Sequence, residues 1–141
     1  MPYINLKTTK KLTEENCDKV KAAFGKAIEC FPGKSEAYLM VGIEDGAKLW
    51  FRGDASQDSA IVDVELLGSV NASASEDMTV AVCEILESEL GISPDRVYVK
   101  YKGYTDWGWN KANFWFLTIC KSYNCYCFSL TLFLFIGKIY M

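Results

Sequence analysis

Apolar and polar positions in the first third of the chain follow two different periods. Residues 3–8 alternate, as a half-buried strand does. Thr13, followed by two glutamates, is a favourable helix start, because its hydroxyl can cap the first turn and acidic side chains complement the helix dipole. Apolar side chains then recur every three or four residues until the Pro-Gly pair at 32–33: Val20, Ala23, Phe24, Ala27, Ile28 and Phe31. A strand followed by an amphipathic helix is predicted.

Two strand-like runs come next, at residues 38–43 and 48–51. The Glu-Asp-Gly cluster at 44–46 is typical of a turn, so these runs predict a β-hairpin. Residues 52–59 are predicted to form a loop.

The same pattern then restarts. Residues 60–67 predict a strand, 68–75 a polar connection, and Gly91 ends a helix whose apolar positions are Val80, Val82, Cys83, Leu86 and Leu90. Each helix is followed by a short turn and a tyrosine-bearing strand, at residues 32–39 and 91–99.

Two strand-helix-strand units about sixty residues apart predict an α/β fold with pseudo-twofold symmetry. Parallel strands need helical crossovers, so the units can form one four-stranded sheet with both helices on a single face. Strands rich in Val, Ile, Leu and Met would leave an apolar patch on the other face. Association through the sheets, giving a homo-oligomer, is therefore expected.

Composition narrows the function. The chain has 141 residues, half of them hydrophobic, which suits one domain. A net charge of −3 without a long basic run argues against a nucleic-acid partner. The absence of histidine excludes Ser/His/Asp and Cys/His nucleophiles and histidine-ligated metals, and neither a metal nor a cofactor is expected.

Compartment and chain start are also constrained. Six cysteines without a Cys-x-x-Cys pair favour a reduced compartment and inert thiols. The first residues lack the basic flank and apolar stretch of a secretory signal, so the start is interpreted as mature apart from Met1. A cytoplasmic protein, or one secreted without a signal peptide, is expected.

Pro2 is a candidate general base. Once Met1 is removed, Pro2 carries a secondary amine that can accept a proton, whereas an acylated proline nitrogen cannot. Such α-amines titrate near about 7.7–8.0, and apolar burial or a nearby cation lowers that pKa. Taken alone, a proline after the initiator is equally compatible with an ordinary strand start.

The chain contains a distinctive set of motifs: Pro2, Pro32-Gly33-Lys34, the Ile-Ser-Pro-Asp-Arg-Val-Tyr-Val run at 92–99, and Trp107-Gly108-Trp109-Asn110 with Phe114. Through these motifs, residues 2–114 resemble the macrophage migration inhibitory factor family. The resemblance implies a homotrimer with three active sites at subunit interfaces. It places Pro2 at the bottom of each pocket, where it shuttles a proton between substrate atoms.

The resemblance also implies roles for other residues. Lys34 matches the lysine that binds a carboxylate or developing enolate, a role suited to a point charge, although a solvated turn lysine is the alternative. Tyr98 matches a tyrosine contributed across the interface, and Leu67 a residue whose backbone N–H contacts ligand. Pocket walls, or plain packing, are implied for three aromatic residues: Tyr38, Trp109 and Phe114.

Three departures from the family pattern bear on substrate choice and redox chemistry. Lys100 stands where many members carry a ligand-contacting asparagine, and Trp107 replaces a smaller wall residue. Residues 59–62 read Ser-Ala-Ile-Val where the animal cytokine has a Cys-x-x-Cys pair, which excludes thiol chemistry of that kind here.

The predicted domain spans residues 1–114, and the family pattern does not account for residues 115–141. This apolar extension is interpreted as an added strand or cover on the trimer, a membrane-associating segment, or the product of a shifted or read-through reading frame. Its apolar stretch is shorter than the roughly 20 residues that a membrane-spanning helix requires.

The resemblance predicts a keto–enol tautomerase for small α-keto acids or their enols, of phenylpyruvate tautomerase or dopachrome isomerase type. The alternative is a cytokine-like protein that binds a receptor and whose pocket activity is incidental. A third hypothesis, hydration or decarboxylation, needs pocket arginines, and the chain has only Arg52 and Arg96. Arg96 is expected to form a surface ion pair with Asp95 or a glutamate.

Overall fold

A computed structural model of the protein describes residues 1–116; residues 117–141, and with them most of the predicted extension, lie outside that range. The chain runs through β1 (Pro2–Thr8), α1 (Glu14–Ala27), β2 (Met40–Glu44), β3 (Ala60–Leu67), α2 (Ala72–Leu90), β4 (Val97–Tyr104), β5 (Asp106–Trp109) and β6 (Ala112–Trp115). The main sheet has the order β2-β1-β3-β4. Its two parallel pairs, β1 with β2 and β3 with β4, meet at the antiparallel β1–β3 pair, so the predicted pseudo-symmetric α/β fold is confirmed.

The start of α1 and the end of α2 lie where the sequence predicts them, whereas α2 begins at Ala72, inside the segment 68–75 that was predicted as a polar connection. The Thr13 hydroxyl accepts a hydrogen bond from the Asn16 backbone N–H at 3.2 Å, and the Asn71 side chain caps α2 by accepting from Ala74 at 3.2 Å. Gly91 ends α2 with a φ of +66°, in the left-handed region that glycine adopts without steric cost. The first helix ends at Ala27, earlier than predicted, because a 3-10 turn over Ile28–Cys30 precedes the Pro-Gly pair.

The core lies between the sheet and the two helices. Every second side chain of β1 and β3 points into it, beginning with Ile4 and Leu6 in β1. Phe24 of α1 and Met78 of α2 cover these strands and are fully buried. Alternation of period two in the strands and period 3.6 in the helices accounts for the single apolar layer.

The open face of the sheet contradicts the sequence prediction of an apolar patch. Lys7 and Glu44 form an ion pair at 3.1 Å there, Lys100 and Asp63 another at 2.7 Å, and Asn5 donates to Glu44 at 2.8 Å. The prediction was wrong because strand alternation sends most Val, Ile and Leu side chains of β1 and β3 toward the helices; in these two strands only Ile61 and Leu67 place such a side chain on the open face. The expected trimer therefore depends on the family resemblance rather than on a bare apolar surface.

The predicted hairpin over residues 38–51 does not form. β2 pairs in parallel with β1, and residues 48–50 have no regular structure. The segment that was predicted as a turn contacts the end of β1 and the residues after it. Asp45 accepts from the Leu12 N–H at 3.0 Å, and Ala47 donates to the Thr8 carbonyl at 2.8 Å. These contacts hold the chain against the first unit and prevent it from folding back.

A hairpin that the sequence analysis did not predict joins β5 and β6. Its turn residues Asn110 and Lys111 have φ values of +50° and +62°, as a type I′ turn requires. Beyond β6, the Phe116 N–H donates to the Thr105 carbonyl at 2.7 Å, which ties the end of the described chain to the domain. Across residues 1–116, no helix combines the length and the apolar character needed to cross a membrane.

Candidate active site

The chain start lies beside the end of β3. Pro2 is buried and opposes Leu66 in the antiparallel register of β1 and β3. The Met1 carbonyl oxygen accepts a hydrogen bond from the Leu67 N–H at 3.2 Å. The nitrogen of Pro2, which is bonded to that carbonyl carbon, is thus held next to the Leu67 peptide.

Lys34 binds the same residue, Leu67, at its backbone carbonyl group. It follows Gly33, whose φ of +74° turns the chain after the 3-10 segment, and its backbone N–H donates to the Phe31 carbonyl at 3.0 Å. Its ammonium donates to the Leu67 carbonyl oxygen at 2.8 Å. The structure therefore brings three predicted site residues together: Pro2, Lys34 and Leu67.

Both amines of this cluster favour their neutral form more than free amines do. Burial lowers the pKa of the Met1 α-amine, and the positive charge of Lys34 lowers it further. Burial also lowers the pKa of the half-buried Lys34 ammonium. The chain start is thus an environment that disfavours a positive charge.

Three predicted wall residues form one aromatic cluster. The Tyr38 ring meets Trp109 edge to face, with ring centroids 6.1 Å apart, and the Trp109 and Phe114 centroids are 6.3 Å apart. Tyr38 comes from a 3-10 turn before β2, and the other two from the β5–β6 hairpin. Trp107 lies opposite Phe114 in the hairpin and packs edge to face on Tyr104 at 5.7 Å.

Tyr98 and Lys100 do not join the cluster at Pro2 within one chain. Tyr98 opposes Ile61 of β3, whereas Pro2 opposes Leu66. These two positions of β3 are five residues apart, which is about 16 Å along the strand. The Tyr98 side chain is 61% exposed, whereas Lys100 is engaged in the ion pair with Asp63. For Tyr98, this separation means that a contribution to a pocket at Pro2 would have to come from another copy of the chain.

Arg96 is not the surface residue that the sequence predicted. It is only 7% exposed, and it donates from Nε to the Ser59 hydroxyl at 3.1 Å and from Nη2 to the Gln57 carbonyl at 3.0 Å. Its ion-pair partner is Asp54, at 3.4 Å, while Asp95 accepts from Ser93 instead. Sequence reasoning missed this because the partners lie 37–42 positions away in a loop without regular structure.

The cluster is poorly suited to metal chemistry. Its members are an ammonium group, a terminal amine and aromatic rings, which are not the ligands that Zn²⁺, Ca²⁺ or Mg²⁺ prefer. Across the described residues 1–116, no group of three or more Cys, Asp or Glu side chains could hold a metal ion. Burial raises the pKa of the Cys30 and Cys83 thiols, which favours unreactive thiols.

Comparison with known proteins identifies the family. A family model described as "Macrophage migration inhibitory factor (MIF)" matches residues 1–114. The chain belongs to the macrophage migration inhibitory factor family. It is 29% identical to macrophage migration inhibitory factor of Rattus norvegicus over 84 residues, which is 58% of this chain and 72% of the relative. The Mus musculus protein is 27% identical over the same length and shares.

Solved structures of the family have the same fold. The crystal structure of Leishmania major MIF2 is similar with a TM-score of 0.74 at 29% identity, covering 81% of this chain and 97% of that one. The MIF-like protein of Entamoeba histolytica is similar with a TM-score of 0.72 at 20% identity, covering 80% and 98%. The family resemblance found from the sequence motifs is therefore confirmed.

Proposed function

We propose that this protein is a keto–enol tautomerase for small α-keto acids of the phenylpyruvate type, and for dopachrome-like compounds, with Pro2 as general base. The observation that carries the proposal is the convergence of the Met1 carbonyl, the Leu67 N–H and the Lys34 ammonium at the chain start. Family membership supports isomerase chemistry of the tautomerase type in general.

Removal of Met1 converts this cluster into a catalytic site. Hydrolysis of the Met1–Pro2 bond leaves a secondary amine on Pro2, a residue that is itself buried. Burial and the charge of Lys34, which lower the pKa of the Met1 amine, act on the new amine as well. A lowered pKa increases the fraction of the Pro2 amine that is neutral and can accept a proton.

The same cleavage frees a binding position for substrate oxygen. The Leu67 N–H loses the Met1 carbonyl as its acceptor, so a carboxylate or enolate oxygen can take that place. Lys34, held at the adjacent Leu67 carbonyl, supplies the positive charge. A hydrogen-bond donor and a cation beside a neutral base match the charge that develops when a keto acid loses a proton.

Proton transfer then needs one base and no redox partner. The Pro2 nitrogen takes a proton from the carbon next to the keto group, and the C–H electron pair forms the C=C bond as the carbonyl becomes an enolate. The Pro2 ammonium returns the proton to the enolate oxygen, which gives the enol. The reverse sequence restores the keto acid, so atoms and electrons balance.

A homotrimer completes the proposed site. The Tyr38, Trp109 and Phe114 cluster forms a wall suited to an aryl group, and Trp107 in the same hairpin changes which substrates are preferred. Tyr98 and Lys100 come from a neighbouring chain. The Arg96 guanidinium donates hydrogen bonds to the loop residues Gln57 and Ser59, so it is not free to assist hydration or decarboxylation. Receptor binding, secretion without a signal peptide and a cytoplasmic location stay predictions.

Replacement of Pro2 by glycine tests the proposal. Glycine also permits removal of Met1 but leaves a primary amine without the proline ring, so we expect phenylpyruvate tautomerisation to fall by about 10²–10⁴-fold. The assay follows enol absorbance with untagged protein whose intact mass confirms loss of Met1. A second preparation that keeps an N-terminal extension should be equally inactive. Equal rates for the wild type and Pro2→Gly would refute the mechanism.

A further inference from the structure

The loop over residues 51–59 is folded around one buried side chain. The Arg96 guanidinium donates to the Ser59 hydroxyl at 3.1 Å and to the carbonyl oxygens of Gln57 and Asp54 at 3.0 and 3.4 Å. It also pairs with the Asp54 carboxylate at 3.4 Å. Five donors in a planar fork allow arginine, unlike lysine, to hold several acceptors at once.

The same guanidinium fixes Phe51. Phe51 and Asp54 exchange backbone hydrogen bonds of 2.9 and 3.0 Å, which closes a tight turn, and Arg96 binds that turn through Asp54. The Arg96 guanidinium carbon also lies 5.0 Å from the centroid of the Phe51 ring, within cation–π range. Arg96 thus contacts both the turn that fixes the Phe51 backbone and the Phe51 ring itself.

Phe51 in turn packs on Tyr98. Their ring centroids are 5.3 Å apart and the planes are tilted by 58°, a favourable geometry for an aromatic pair. Tyr98 is otherwise largely exposed on an edge strand, where free rotation of its side chain would place the hydroxyl in several positions. A ring packed against Phe51 keeps fewer rotamers.

We propose that Arg96 is a positioning residue which, through the 51–59 loop and the Phe51 ring, holds Tyr98 in the orientation that meets substrate in the neighbouring subunit. This inference deepens the proposed function and rests on it. Arg96 itself does not touch substrate in this arrangement. Its contribution is to substrate binding, since a pre-oriented tyrosine binds without first losing side-chain entropy.

Steady-state kinetics of Phe51→Leu and Arg96→Lys test the proposal. Loss of one aromatic contact should raise KM for phenylpyruvate by roughly two- to tenfold, with kcat nearly unchanged. In a Tyr98→Ala background the Phe51→Leu change should have no further effect on KM. An equal factor in both backgrounds, or an unchanged KM, would overturn the proposal, because a general structural defect does not depend on Tyr98.

Arg52→Lys is the matched control. Arg52 also lies over the Phe51 ring, at 5.2 Å, but it is exposed and its side chain has no hydrogen-bond partner among residues 1–116. We therefore expect KM within about twofold of the wild type, since an exposed cation–π contact is weak. A rise equal to that of Arg96→Lys would show that the guanidinium–ring contact, rather than the loop network, controls Tyr98.

A spectroscopic readout separates this inference from the proposed function. With 3-fluorotyrosine incorporated at the eight tyrosines, the ¹⁹F signal missing in Tyr98→Phe identifies Tyr98. That signal should shift in both Phe51→Leu and Arg96→Lys, and an unmoved signal in either variant contradicts the inference. If Pro2→Gly leaves turnover unchanged, the proposed function fails, while the ¹⁹F shifts still decide whether Arg96 positions Tyr98.

Discussion

The backbone of Leu67 connects the residues at the chain start. Its N–H donates to the Met1 carbonyl and its carbonyl oxygen accepts from the Lys34 ammonium, so both backbone polar groups of this residue contact the candidate site. Backbone groups carry no side-chain signal, and any residue except proline at position 67 could supply them. Lys34 is therefore the member of this cluster that substitution can test most directly.

Lys34→Gln should change the pH dependence of the reaction. The charge of Lys34 lowers the pKa of the terminal amine, so its removal raises that pKa. A base must be deprotonated to act, so the acidic limb of the kcat/KM profile should move to higher pH. KM should also rise as the cation is lost.

Lys34→Arg is the control, because it keeps the charge and should keep the limb near its wild-type position. The profile is measured with phenylpyruvate between about pH 5 and 9, on either side of the ordinary α-amine pKa of about 7.7–8.0. A limb that does not move in Lys34→Gln would show that Lys34 does not act on the base.

At the scale of elements, those with their own local signals were predictable. Three such features were predicted: the start of α1 at its capping residue Thr13, the alternating strand Ala60–Leu67, and the end of α2 at Gly91. The hairpin over 38–51 was wrong because parallel pairing of β2 with β1 is a non-local contact that outweighed turn chemistry. The β5–β6 hairpin was missed because its Asn-Lys turn is a weaker signal than Asn-Gly.

Asn71→Ala should destabilise the fold through α2. The Asn71 side chain accepts from the Ala74 N–H at 3.2 Å, and its loss leaves one donor of the first turn without that partner. We expect the free energy of unfolding to fall by about 1 kcal/mol. Urea denaturation followed by circular dichroism measures it. Asn71→Asp keeps an acceptor and should stay close to wild type, so equal losses in the two variants would contradict a capping role.

At the scale of the whole molecule, the position of Tyr98 decides how a site is assembled. About 16 Å of strand separates its register position from that of Pro2 within one chain. A tyrosine that serves the pocket must then come from a neighbour, which the sequence indicated through the family resemblance alone. The open face carries ion pairs beside the exposed Met40 and Tyr98, so its composition alone does not indicate such an assembly.

Mixed oligomers should show this sharing. Pro2→Gly and Tyr98→Ala chains are each expected to be impaired alone, but an oligomer containing both has some sites with an intact Pro2 beside an intact Tyr98. Co-refolding the two should restore part of the phenylpyruvate activity, with light scattering reporting a mass near three chains. If Tyr98 served Pro2 of its own chain, mixing would restore nothing.

The two strand-helix-strand units share an architecture, but only the first can carry a free proline amine. Ala60 opens β3 as Pro2 opens β1, yet the nitrogen of Ala60 is locked in an amide by the residue before it. A gene fusion that joined two copies head to tail would place the second Pro2 in the same situation. Such a tandem protein would fold with twice the number of strands and helices while keeping one working amine per polypeptide.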